Sequence, residues 1–246
     1  MFESGKTGFF MAIPALIILA IVLTAGMAVA EPMVTPPPVN EKINVFAVVS
    51  GEIETACHDA ATALMNEEAL ESFALKGYQV HCTLYMTQYP ANSLDKVAAI
   101  VTDLASNTRE FEIQSTGLEI TSGNWFFMNL ERNRSLQTLS DQVVEKLAAL
   151  RHPSNFVPEW AKDNATKVEY ITKYGSPNVY AEFNPHLTLL AQSDGSKLQR
   201  FMQKHATDTF NKPITGRVVA VGLGIADRDG QMQTPYKILP LQPAGK

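Results

Sequence analysis

The sequence is poor in cysteine, with only Cys57 and Cys82 in 246 residues. That excludes a disulfide framework and any zinc site built on paired cysteines. It also lacks a lysine- or arginine-rich run, and its formal net charge is −5. Glu3 and Lys6 cancel in the first thirty residues, so the remainder keeps that acidic balance. A body of this sign does not grip long nucleic acid through many phosphates. A small anionic substrate in a local pocket remains compatible with it. Charged residues are absent from one stretch altogether, Phe9 to Ala30.

That uncharged stretch fixes the expected compartment. Ile17 to Leu23 forms a strong apolar centre, Lys6 precedes it, and Ala28-Val29-Ala30 is a small-x-small cleavage signal. The pattern is that of a secretory signal peptide over residues 1–30. The apolar run is also long enough to serve as an uncleaved membrane anchor. Either way the rest of the chain is expected in an extracytoplasmic space, periplasmic or secreted. Pro32, Pro36, Pro37 and Pro38 stiffen a linker over residues 31–42. An anchored N-terminus would be the sole membrane contact.

The remainder, 43–241, reads as one unit written twice. In the first copy, Asn44–Val49 is an apolar β-rich run, Thr55–Phe73 has helical spacing, and Gln79–Thr87 is a second strand. A helix capped by Ser93 and a strand over Glu110–Ile120 complete it. In the second copy, Trp125–Leu130 is a strand, Leu136–Leu150 an amphipathic helix, and Pro185–Ala191 a strand. A helix over Ser196–Ala206 and a strand over Ile214–Ile225 follow, with a further strand in Pro235–Leu241. His81 precedes Phe111 by 30 residues and His186 precedes Ile214 by 28. The second copy is longer between its first two strands, and a polar segment over 152–175 accounts for the excess. Such an insertion is either a lid or a connector.

The chemistry-bearing feature is a duplicated His-x-Thr. A single HxT means little, and His205-Ala206-Thr207 is a third copy at a helix end that is set aside. His81-Cys82-Thr83 and His186-Leu187-Thr188 differ because both lie in apolar strand runs at the same slot of the repeat. Strand alternation puts His81, Thr83 and Tyr85 on one face, and likewise His186, Thr188 and Leu190. The apolar alternates, Cys82 among them, are expected to face the helices. The alternative is a pair of buried histidines bonded to backbone neighbours. His58, His152 and His205 are expected at the surface. Cys57 and Cys82 are expected in one layer but out of register for a bridge, hence as free buried thiols.

Val80-His81-Cys82-Thr83-Leu84 and Pro185-His186-Leu187-Thr188-Leu189 resemble the paired HxT motifs of the 2H phosphoesterase superfamily, which includes the 2′-5′ RNA ligase-like proteins and cyclic phosphodiesterases. The resemblance extends over most of 44–241 and includes the strand Arg217–Val221. It implies an α+β fold of two pseudo-symmetric lobes, about 43–120 and 124–241. Each lobe is a mainly antiparallel sheet with helices on its outer face, and the two face a central cleft. It implies hydrolysis of 2′,3′-cyclic phosphates or related nucleotide phosphodiesters without a cofactor. One histidine would act as base, the other as acid, and Thr83 and Thr188 would donate to phosphate oxygens. Two histidines and two hydroxyls do not close a metal site, so a metal-dependent hydrolase is disfavoured. Tyr85, Trp125 and Phe127 are candidate stacking residues for a base. Arg132, Arg134, Lys173 and Arg217 are candidate phosphate contacts. The expected partner is a nucleotide or short RNA-like phosphodiester, and the expected state a monomer. A catalytically silent nucleotide- or anion-binding module using the same cleft is the competing function.

Overall fold

The computed structural model describes residues 40–153 and 156–245. The expected export segment and most of the proline-rich linker lie outside them. Among the described residues no helix is long and apolar enough to cross a membrane.

Seven antiparallel strands form one sheet: β1 (Glu41–Val49), β2 (Cys82–Tyr89), β3 (Phe111–Ile120), β4 (Phe126–Leu130), β5 (His186–Leu190), β6 (Ile214–Ile225) and β7 (Lys237–Pro240). The order is β1-β2-β5-β4-β3-β6-β7, and β1 also pairs with β6. Six strands therefore close on themselves, and β7 extends β6. The closure is thin at β2–β5, where only Cys82 and Leu187 pair. The repeat is visible in the order. β6-β1-β2 and β3-β4-β5 are equivalent triplets, so the two copies have exchanged their third strands. The expected α+β architecture of two related antiparallel halves is present, but neither half is a contiguous stretch of chain.

Among the described residues five α-helices cover the sheet: α1 (Gly51–Glu68), α2 (Leu94–Ser106), α3 (Arg134–Leu147), α4 (Ala165–Tyr174) and α5 (Gly195–Lys204). Most starts have a local cause. Asn133 accepts from the Leu136 amide, Asn164 from Lys167, and Asp194 from Ser196 and Lys197. Glu52 and Glu54 place negative charge in the first turn of α1. That helix buries Ile53, Ala56, Cys57, Ala60, Ala61 and Leu64, a stripe dominated by three- and four-residue steps. It ends at Glu68 rather than near Phe73, because Ala69 turns left-handed (φ 52°) and caps Leu64 and Met65. The core lies between helices and sheet and takes Ile43, Val45, Ala47 and Val49 from β1.

The insertion carries α4, which was not foreseen. Gly175 (φ 73°) closes it, and its end is tied to β2. The Tyr85 hydroxyl donates to the Tyr174 carbonyl, and Thr87 Oγ1 donates to the Gly175 carbonyl at 3.0 Å. Arg151 adds a bond to the Thr172 carbonyl at 2.7 Å. Tyr85 and Thr87 pair with Val45 and Ile43, two core residues. The end of α4 is thus fastened on the helix-bearing side of the sheet.

Candidate active site

The register of β2 and β5 decides which side chains share the cleft. On β1–β2, Val45 pairs with Tyr85 but Phe46 pairs with Thr83, so Leu84 is an extra residue. On β4–β5, Phe126 pairs with Leu190 but Phe127 pairs with Thr188, so Leu189 is extra. Each HxT is therefore followed at once by a β-bulge, in the same place. The bulge reverses the alternation. His81 and Thr83 face the cleft, but Tyr85 turns to the core beside Val45 and Met86 takes the cleft side. Leu190 likewise joins the core with Phe126. The expectation that Tyr85 lines the site is thereby corrected. It is 1% exposed and its hydroxyl is committed to Tyr174, so no base can stack on it. The carbonyls of both bulge residues find partners from the helix side: Leu84 accepts from Ser140 Oγ at 2.9 Å, and Leu189 from the Phe73 amide at 2.9 Å.

The two motifs meet at the seam. Counting outward from the Cys82–Leu187 pair, His81 lies opposite Thr188 and Thr83 opposite His186. Opposed residues of an antiparallel pair have Cβ atoms about 4.5–5.5 Å apart. Each histidine is thus placed across the seam from the other motif's threonine. Both histidines hold the same local contact: His81 Nδ1 lies 2.8 Å from the Gln79 carbonyl, and His186 Nδ1 2.8 Å from the Asn184 carbonyl. A carbonyl only accepts, so Nδ1 carries hydrogen in each ring, and Nε2 is the nitrogen that can gain or lose a proton.

An aromatic residue backs each ring. Phe127 stacks on His186 with centroids 3.8 Å apart and planes at 17°. Its register equivalent, Phe46, lies 5.0 Å from His81 at 56°. Gly222 makes room for Phe46, since a Cβ there would lie 2.3 Å from the ring. Trp125 and Phe127, both half-buried, stand 6.2 Å apart on the His186 side. Asn129 follows on the same face and donates to Glu119.

The His81 side differs. His81 is 4% exposed, and the β6–β7 loop over residues 226–236 is bonded to its neighbours, Gly230 to Asn44 at 3.1 Å and Met232 to the Gln79 amide at 2.9 Å. Asn44, opposite Met86 on β1, is fully buried. Its Nδ2 lies 3.1 Å from His81 Nε2, 2.9 Å from Thr83 Oγ1 and 3.1 Å from the Gly230 carbonyl. Lys42 Nζ holds the loop by the Asp227 and Arg228 carbonyls, at 2.9 and 3.0 Å.

Charge is costly here. Burial, reinforced by nearby His186, lowers the His81 pKa from 6.5 to about 4, against the Gln79 contact and Asp227. Burial also lowers His186, opposed by the Asn184 contact and by Glu119. Among the described residues no group of three or more His, Cys, Asp or Glu side chains is placed to hold a metal.

The remaining expectations divide. Cys57 and Cys82 are free and buried on the helix side, and burial raises both thiols to about 12. His58 is exposed. His205 is not at the surface: it is 7% exposed, with Nδ1 2.6 Å from Asp208 and Nε2 2.8 Å from Glu67. Three of the candidate cations are engaged elsewhere. Arg132 bonds the Tyr180 and Ala181 carbonyls, Arg217 pairs with Glu110 at 3.3 Å, and Lys173 lies over the Tyr174 ring. Arg134 lines a hollow of about 400 Å³ with Arg109 and Phe111, which none of the HxT residues lines. Sequence reading missed Asn44, Phe46, Glu119 and Asn129. A polar residue opening the apolar run Asn44–Val49 was the available signal for the first.

The sequence matches the 2′-5′ RNA ligase superfamily over residues 54–230, a span that includes both HxT motifs. The chain belongs to this superfamily, the 2H phosphoesterases. No curated protein matches it in sequence. Among solved structures it is similar to TT0787 of Thermus thermophilus, at 14% identity over 83% of this chain and 100% of that one, with a TM-score of 0.49. It is similar to E. coli LigT in apo form at 14% identity, covering 82% and 98% of the two chains, TM-score 0.49. LigT complexed with 3′-AMP gives 16% identity, 82% and 99%, and 0.49. Membership of the 2H phosphoesterases points to phosphodiester-related chemistry for this protein.

Proposed function

We propose that this 2H phosphoesterase hydrolyses 2′,3′-cyclic phosphates or related nucleotide phosphodiesters by metal-independent general acid–base catalysis. The observation that carries the reading is the matched pair of imidazoles. Each has Nδ1 tied to the carbonyl two residues before it, each has Nε2 as the nitrogen that can gain or lose a proton, and each lies across the seam from a threonine. One Nε2 accepts a proton from the attacking water. The other donates to the leaving ribose oxygen. Thr83 and Thr188 donate to the non-bridging oxygens, where charge grows in the transition state. Two imidazoles and two hydroxyls form an acid–base set rather than a closed metal set. Trp125 and Phe127 offer a half-exposed aromatic wall for the base beside His186.

The protein acts as a monomer in an extracytoplasmic space, exported by residues 1–30 and either released or anchored there. Support comes from the uncharged stretch Phe9–Ala30 and the Ala28-Val29-Ala30 signal. N-terminal sequencing of the exported protein tests this, with a start at Glu31 expected for release.

The deciding experiment is turnover of a 2′,3′-cyclic nucleotide with and without EDTA. Unchanged turnover in EDTA is expected, with loss of about 10²-fold or more for His81→Ala and for His186→Ala. Tight nucleotide binding without turnover would make the cleft a binding module. EDTA inhibition reversed by added metal would refute the mechanism.

A further inference from the structure

The two halves of the site are related by register, yet one position breaks the relation. Phe46 corresponds to Phe127, Val45 to Phe126, and Asn44 therefore to Trp125. The His81 side thus holds a buried amide where the His186 side holds an indole.

The orientation of that amide is fixed by the one neighbour that cannot donate. Asn44 Nδ2 lies 3.1 Å from the Gly230 carbonyl. A flipped amide would set two carbonyl oxygens against each other. One N–H of Nδ2 therefore goes to Gly230. The other lies between Thr83 Oγ1 at 2.9 Å and His81 Nε2 at 3.1 Å. An N–H aimed at Nε2 requires a lone pair there, and the proton of His81 is already on Nδ1 facing Gln79. An imidazolium would point an N–H at another N–H. Because Thr83 Oγ1 accepts from Asn44, its own hydrogen is free to point into the cleft.

We propose that Asn44 is a positioning residue that makes the two histidines inequivalent: it holds His81 as the neutral Nδ1–H tautomer, so that His81 is the base and His186 the acid. This rests on the phosphodiesterase reading above. In the reaction His81 Nε2 takes a proton from water as the water oxygen bonds to phosphorus. The Asn44 N–H moves fully onto Thr83 Oγ1, and the bond from phosphorus to the ribose oxygen breaks. His186 Nε2–H gives its proton to that oxygen. His81 then loses a proton to solvent and His186 regains one. The other ionisable groups that reach His81 are His186 from β5, which opposes a second positive charge, and Asp227 from the β6–β7 loop, which favours one. Asp227 itself stands near Lys42. The low His81 pKa agrees with the arrangement.

Two measurements on the native protein and its variants test this separately from the phosphodiesterase reading. The first is the ¹⁵N NMR titration of His81, which needs no substrate. In the native protein Nε2 is expected to stay unprotonated, with hydrogen on Nδ1, down to about pH 5. Asn44→Ala should raise the His81 midpoint by at least about one unit, and Asn44→Asp by more, with His186 moving little. A proton on Nε2 at neutral pH in the native protein overturns the proposal, whether or not the variants fold. So does an unmoved His81 midpoint in a folded Asn44→Ala. The second compares a 2′,3′-cyclic nucleotide with a p-nitrophenyl phosphodiester, whose leaving group needs no acid. His186→Ala should lose at least ten times less on the aryl ester than on the cyclic substrate. His81→Ala should lose about the same, 10²-fold or more, on both. The reverse pattern would make His186 the base and refute the assignment. Absence of turnover by the native protein on either substrate would refute the phosphodiesterase reading and leave the NMR result standing.

Discussion

Gly222→Ala puts the geometry of the site under direct test. The added methyl would lie 2.3 Å from Phe46 Cζ and 2.4 Å from Cε2. Carbon atoms pack at about 3.5–4.0 Å, so the ring must retreat by more than ~1 Å. Phe46 is fully buried, with β2 on one side and β6 on the other, and it lies against His81. Overpacking of this kind costs about 1–3 kcal/mol. Replacing glycine in a strand returns about 0.4–1 kcal/mol by restricting the unfolded chain. A net loss of about 0–2.6 kcal/mol follows, or up to roughly 10 °C in Tm for a domain of this size. Activity should fall further than stability alone dictates. A shift of about 1 Å in a positioned catalytic group costs on the order of 10²-fold. The assay is calorimetric unfolding in parallel with kcat/KM, measured well below the new Tm. A Gly222→Ala protein with native Tm and native kcat/KM would show that Phe46 does not occupy this place, and would remove the argument that it seats His81.

Three further outcomes are expected. With His81 lowered to about 4 and His186 lowered below 6.5, kcat/KM should peak on the acid side of neutrality. Raising pH empties the acid and lowering it below about 4 protonates the base, so by pH 7.5 the rate should have fallen by about tenfold or more; a maximum above pH 8 would refute this. Burial works against charge on His205, but its bonds to Asp208 and Glu67 outweigh burial and raise its pKa. Its contribution is therefore full below pH 6.5 and is lost as pH rises through the raised value, so His205→Gln should lower Tm more at pH 6 than at pH 9. Both thiols are buried and raised to about 12, so neither should react with a water-soluble maleimide at pH 7 in the native state, and both should react in denaturant.

The order of strands and helices was legible because each element carries its own period and most carry their own caps. The catalytic pairs were legible because HxT recurs at one slot of a repeat. The bulges were not. Strict alternation assigns Tyr85 and Leu190 to the cleft, and only the adjacent apolar pairs Leu84-Tyr85 and Leu189-Leu190 hint that the period slips there. The exchange of third strands was not legible either, because spacing says nothing about which partner a strand selects. The helix α4 was hidden in a polar insertion with few apolar anchors, chiefly tyrosines and Ile171. Asn44 was absorbed into an apolar run, and its role depends on Gly230, 186 residues away.

The exchanged third strands have a consequence for biosynthesis. β1 carries Asn44 and Phe46, yet its free edge is sealed only by β6, some 170 residues later in the chain. Contacts of such sequence separation form slowly, after the entropy of closing a long loop has been lost. No N-terminal fragment can complete the site, and neither repeat can be expected to fold by itself. A chain emerging from the ribosome must keep its first strand unpaired on one side until the C-terminal strand is made. Under the export proposed above that delay is an advantage, since a polypeptide threaded across a membrane has to remain unfolded until it arrives.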